Sequence, residues 1–182
     1  MTDRAIGPDG SLYFLTGGRR LESDLYRVYY NGTEATTNSE TTPLTEENKL
    51  RRKLEAFHAS GKPEAITAAW PYIGHPDRAI RYAARIALEH QAVEGWKAKA
   101  LAESNPAALT NAMIGLTRNG TANDKPAILN ALAKINYLKI SPNQQLDVLR
   151  AYELVFARFG MPETAQKAKI VALLDAQYPS NS

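Results

Sequence analysis

The chain has 182 residues, long enough for one domain with a true core or for a domain plus a small appendage. Its 44% hydrophobic and 23% charged content is ordinary for a globular protein, and no apolar run approaches the roughly 18 residues of a membrane span. The formal charge of +3 comes from 22 basic against 19 acidic residues scattered along the chain, which lacks the clustering of a nucleic-acid footprint. With no cysteine, disulfides, thiolate metal sites, Cys nucleophiles and the covalent attachment of a c-type haem are excluded within these residues. The residues after Met1 lack the basic head and apolar stretch of a secretory signal, so the chain reads either as cytoplasmic or as lacking its true N-terminus.

In chain order, residues 1–31 read as a β-hairpin and differ from everything after them. Pro8-Asp9-Gly10 marks a turn, Ser11–Leu15 a strand, Gly17-Gly18 a second turn with glycine at positive φ, and Asp24–Tyr30 a second strand. Tyr13, Phe14, Tyr26, Tyr29 and Tyr30 give the hairpin the aromatic load of strands covered on both faces, so it reads as the edge of a larger sheet. Residues 32–44 are polar and aperiodic, and read as a linker.

From residue 45 to 178 the period is helical. Thr45 is a candidate N-cap, with Asn48 where a capping box would place Glu or Gln. Helices are expected over about Pro63–Ile73, Asp77–His90, Val93–Ser104, Pro106–Asn119, Asp124–Lys139, Pro142–Phe159 and Pro162–Gln177, with residues 179–182 as a tail. Pro76, Pro106, Pro142 and Pro162 are placed just inside new helices, and Gly74, Gly120 and Gly160 close the preceding ones. Helices starting near Pro63, Val93 and Asp124 recur at about 30 residues, each followed by a partner, which is the spacing of stacked antiparallel helix pairs. In the clearest unit Ile80, Ala83, Ala84, Ala87 and Leu88 share one face, and the small Ala side chains allow close helix approach.

At these residues the chain resembles a known family. Pro76-Asp77, Ile80-Arg81, Ala83-Ala84 and Ala87-Leu88 resemble the second helix of a HEAT repeat, and Asn105-Pro106 aligns with the next repeat, where Met113 replaces the first Ala of the pair. Residues 3–18 and the Leu25–Tyr30 run resemble the last strands of a β-propeller blade of the quinoprotein-like sugar dehydrogenase or NHL type. The order of propeller end, linker and repeats is similar to that of large bacterial "membrane-bound dehydrogenase" proteins that join a propeller, a HEAT segment and a cytochrome c domain. The expected fold class is therefore mainly α, an α-α superhelix of seven to eight helices with an N-terminal β-hairpin. The resemblance implies an internal, non-catalytic scaffold or spacer, periplasmic or secreted, whose parent uses a quinone cofactor and haem c; neither site lies in these residues. The alternative is a free-standing HEAT-like adaptor that binds a protein or peptide. Expected partners are proteins or neighbouring domains, with no nucleic acid and no membrane span.

The candidate binding residues are Arg78, Arg81 and Arg85, a stripe on one face of the helix after Asp77, suited to a phosphate, a carboxylate or an acidic surface. The plainer reading pairs Arg81 with Asp77 or a carboxylate of the adjacent repeat and leaves the other two solvated. His58, His75 and His90 lack a second ligand at helical spacing and read as structural. Trp70, Trp96, Tyr72, Tyr82, Tyr137 and Tyr152 read as filling between repeats in preference to an aromatic peptide groove. No Gly-x-Ser-x-Gly elbow occurs, and Glu46, Glu47 and Glu153 have no partner identifiable from sequence, so no catalytic residue and no metal site are assigned.

Overall fold

A computed structural model describes residues 3–34, 43–59 and 61–175. The core of the expected linker, residues 35–42, the tail and the end of the last helix at Gln177 lie outside the described residues. The chain divides into two compact units, Met1–Pro43 and Leu44–Ser182.

The first unit holds a three-stranded antiparallel meander where a hairpin was expected: β1 (Asp3–Ile6), β2 (Leu12–Gly18) and β3 (Leu21–Val28), in that order. The extra strand pairs Arg4 with Phe14 and Ile6 with Leu12. It is short and carries two charges, which hides it from a pattern search for alternating apolar residues. The turn after β2 also departs from expectation. Gly17 and Gly18 belong to β2, at a register shift between Thr16 and Gly18, and the tight turn is made by Arg19-Arg20, with Arg20 at φ 68°. The second strand thus begins earlier and ends at Val28, leaving Tyr29 and Tyr30 beyond it. The Pro8-Asp9-Gly10 turn is well tied. Asp9 accepts from Tyr13 Oη (2.9 Å) and Arg27 Nη2 (2.8 Å), and the Tyr13 hydrogen bond is the main reason its carboxyl is lowered to about 2. Phe14 stacks on Tyr26 across the ladder at 5.0 Å, yet Ile6 is 70% and Leu25 66% exposed. Leu12, Tyr13 and Phe14 of β2 are half-buried.

The second unit is helical among the described residues, with eight α-helices: α1 (Glu46–Glu55), α2 (Glu64–Ala69), α3 (Arg78–Glu89), α4 (Lys97–Ala102), α5 (Pro106–Asn119), α6 (Lys125–Leu132), α7 (Pro142–Phe159) and α8 (Thr164–Leu174). Starts are set by local capping chemistry. Asp77 Oδ1 accepts from the amides of Ala79 and Ile80, Asn105 Oδ1 from those of Ala107 and Ala108, and Ser141 forms a reciprocal box with Gln144. Thr45 caps α1 through Asn48 N at 3.3 Å. Pro106 and Pro142 begin their helices, whereas Pro76 and Pro162 stand just before the N-caps Asp77 and Glu163, two positions ahead of the first helical residue. Counting from the caps, Asn111 and Ala112 hold in α5 the positions of Ala83 and Ala84 in α3, so Met113 is not the counterpart of Ala83. The expected Asp124–Lys139 helix is shorter: α6 ends at Leu132, and a separate 3₁₀ turn covers Tyr137–Lys139.

The odd-numbered helices pack in sequence, α1 on α3, α3 on α5 and α5 on α7. The even ones form a second layer, with α2 on α3, α4 on α5 and α6, and α6 on α5 and α7. The buried face of α3 is the one its spacing predicts, Ile80, Ala83, Ala84, Ala87 and Leu88. The loop before α3 sits hard against α5: a Cβ on Gly74 would lie 2.9 Å from Ala108 N. Trp96 is 1% exposed in the core, and Trp70 is half-buried, with its indole N–H donating to Glu103 Oε2 at 3.0 Å and Lys99 Nζ above the ring. Tyr152 is buried with its hydroxyl unpartnered, and burial pushes that hydroxyl up to about 12. His58, after α1, stacks on His90 at 6.0 Å with its Nε2 bonded to Ala83 O of α3, and His75 Nδ1 accepts from Asp77 N.

Candidate functional site: an arginine groove across four helices

Arg78, Arg81 and Arg85 follow the Asp77 cap at successive turns of α3, and the structure puts all three in one groove of about 870 Å³. Two amide hydrogen bonds hold the Asp77 carboxyl, that from Ile80 foremost, and keep it below its ordinary range, so the cap is anionic at neutral pH. Arg78 occupies the first helical position and is exposed, and its side chain makes no hydrogen bond or ion pair among the described residues.

Arg81 is braced. Its Nη1 donates to His75 O at 2.7 Å and Pro76 O at 3.1 Å, and its Nη2 lies 3.7 Å from Asp147 Oδ2 on α7. The partner is thus neither Asp77 nor a carboxylate of the next helix pair, but one from beyond it. That reach is possible because α3 and α7 both border the groove.

Arg85 differs again from the solvated residue expected. Its side chain is 16% exposed, its guanidinium lies 5.2 Å from the Tyr82 ring centroid, and its Nε is 3.0 Å from Glu89 Oε1. Burial lowers the Arg85 pKa, with Glu89 opposing that shift. Glu89, 8% exposed, also accepts from Arg118 Nε of α5 at 2.8 Å, and that hydrogen bond raises the Arg118 pKa. The Arg85–Glu89–Arg118 triad therefore ties α3 to α5 beside the groove.

Each neighbouring helix contributes side chains one turn apart: Arg51 and Glu55 from α1, Asn111 and Ile114 from α5, Asp147 and Arg150 from α7. Five guanidiniums thus face three carboxylates (Glu55, Asp77 and Asp147), and Tyr82 and Ile114 supply apolar surface. Arg51 and Arg150 were not singled out from the sequence, and Tyr82, read there as filling between repeats, is exposed. A signal was present: Arg51, Asn111 and Asp147 stand at the same offset from the N-caps Thr45, Asn105 and Ser141. Among the described residues no three His, Asp or Glu side chains are placed to hold a metal ion, and no helix is long and apolar enough to cross a membrane. The groove can neutralise anionic groups along its length while offering short apolar contacts between them. Compared with protein-family models, with curated proteins and with solved structures, the chain matches none.

Proposed function

We propose that residues 44–175 form a HEAT-like interaction scaffold that binds a protein segment on the face made by α1, α3, α5 and α7 and performs no chemistry of its own. The observation that carries this reading is the convergence of side chains from four successive odd-numbered helices on one groove. A stack of helix pairs offers such a surface because each pair contributes equivalent positions to it. Peptides selected from a random display library on the full chain test it. Hydrogen exchange of the complex is expected to slow in α1, α3, α5 and α7; failure to select any peptide, or protection confined to α2, α4 and α6, overturns it.

One observation favours a second, compatible reading, in which the scaffold is a spacer within a larger propeller–HEAT–cytochrome c protein. Ile6, Leu25 and Val28 of β1 and β3 are exposed, as they would be at the end of a sheet completed by other strands. The flanking coding sequence tests it: an open reading frame extending in both directions is expected, and a natural gene bounded by Met1 and Ser182 removes it.

A further inference from the structure

The geometry points to an extended acidic peptide as the occupant of the arginine groove, held through Arg78 and Arg150 and seated on Tyr82 and Ile114; this deepens the scaffold reading and rests on it. Length comes first. The groove crosses α1, α3, α5 and α7. Three interhelical steps of 8–10 Å span roughly 25–30 Å, which an extended chain rising about 3.3 Å per residue covers with about eight residues.

Charge selects the sign. Arg51 lies 3.4 Å from Glu55, Arg81 is held by backbone carbonyls and Asp147, Arg85 by Glu89, and Arg150 by Glu153, whereas Arg78 has no counter-charge among the described residues. The bracing of Arg81 and Arg85 fixes guanidiniums in place before anything binds, which reduces the ordering cost of association. Arg78 and Arg150 are exposed at the rim, where a carboxylate can reach them without displacing a buried pair.

The same walls disfavour nucleic acid. Glu55, Asp77 and Asp147 interrupt the cationic surface, and a continuous polyanion would have to pass all three. A peptide can set its acidic residues opposite the arginines and its neutral ones opposite the carboxylates, with an apolar side chain against Tyr82 and Ile114.

Fluorescence anisotropy on the full chain tests the inference. The probes are a labelled peptide of about ten residues with Asp and Glu around a central Leu, its Asn/Gln counterpart, and an oligothymidylate of similar length. The acidic peptide is expected to bind, more weakly as salt rises from about 50 to 500 mM, and R78E and R150E are each expected to lower its affinity about tenfold. R78E should leave the melting temperature unchanged or slightly raised, because an acidic residue in the first turn suits the helix dipole. Equal binding of the Asn/Gln peptide, no effect of R78E, or tighter binding of the oligothymidylate overturns it. If library peptides protect the groove but are not acidic, this inference falls and the scaffold reading stands; if no peptide binds there, both fall.

Discussion

The two units bury their apolar residues in opposite ways. Every buried hydrophobic side chain among the described residues lies between Leu54 and Ile170, in the helical unit, whereas in the first unit the one buried residue among those described is Ser11, just before β2. Both regions are rich in large apolar side chains, so composition does not separate them. Layering does. The helices form two layers that hide one face of each against the other, while the three short strands of the first unit form a single layer among the described residues. Local order in the sheet comes instead from the ladder, the Phe14–Tyr26 stack and the Asp9–Tyr13–Arg27 cluster.

The largest effect is expected where the helical core is fullest. Trp96→Ala should cost about 4 kcal/mol through lost burial and a cavity between α4 and α5, read as a lower urea midpoint by circular dichroism. A loss below about 1 kcal/mol would mean that the layers close around the gap and that the contrast with the sheet is overstated. Next comes the triad around the buried Glu89 carboxylate. Glu89→Gln leaves Arg85 desolvated beside Arg118 without a counter-charge and should cost about 3 kcal/mol, whereas a change within about 0.5 kcal/mol would show that this triad does not tie α3 to α5.

A smaller effect sharpens the comparison through pH. Burial raises the Asp124 carboxyl, but its hydrogen bonds with Lys97 Nζ and Thr121 N outweigh that and hold it below its ordinary range. Because the folded pKa is depressed, the contribution to stability is present above the ordinary carboxylate range and is lost as pH falls through the folded value. Asp124→Asn should therefore cost about 2 kcal/mol at pH 7, and the gap from the parent protein should close on acidification below about pH 4. A gap that persists unchanged at pH 2–3 would assign the loss to geometry instead of charge. The smallest effect belongs to the sheet. Leu25→Ala should shift stability by less than about 0.5 kcal/mol, and a loss of about 2 kcal/mol would show that this side chain is covered in solution.

Local chemistry made much of the helical unit legible. Asp77, Asn105 and Ser141 satisfy orphan amides within three residues of themselves, and Gly120 and Gly160 follow their helices directly, so the starts and stops could be read without knowing what packs where. Proline gave starts accurate to a residue or two, since it tolerates the first turn and the residues before the N-cap alike. The buried stripe of α3 followed from its spacing for the same reason. β1 was missed because a four-residue strand carrying Asp3 and Arg4 has no pattern of its own and is defined only by pairing with β2.

For the arginine groove the division is sharper. Sequence alone determined that Arg78, Arg81 and Arg85 share a face of one helix, because helical geometry depends only on spacing along the chain. Only the tertiary structure decided what each arginine became. Arg81 reaches Asp147, Arg85 is buried between Tyr82 and Glu89, Arg78 alone stays open, and Arg51 and Arg150 join them from helices at opposite ends of the row. Burial and ion pairing are set by which helices lie side by side, and that depends on the packing of whole faces, beyond the reach of any local rule.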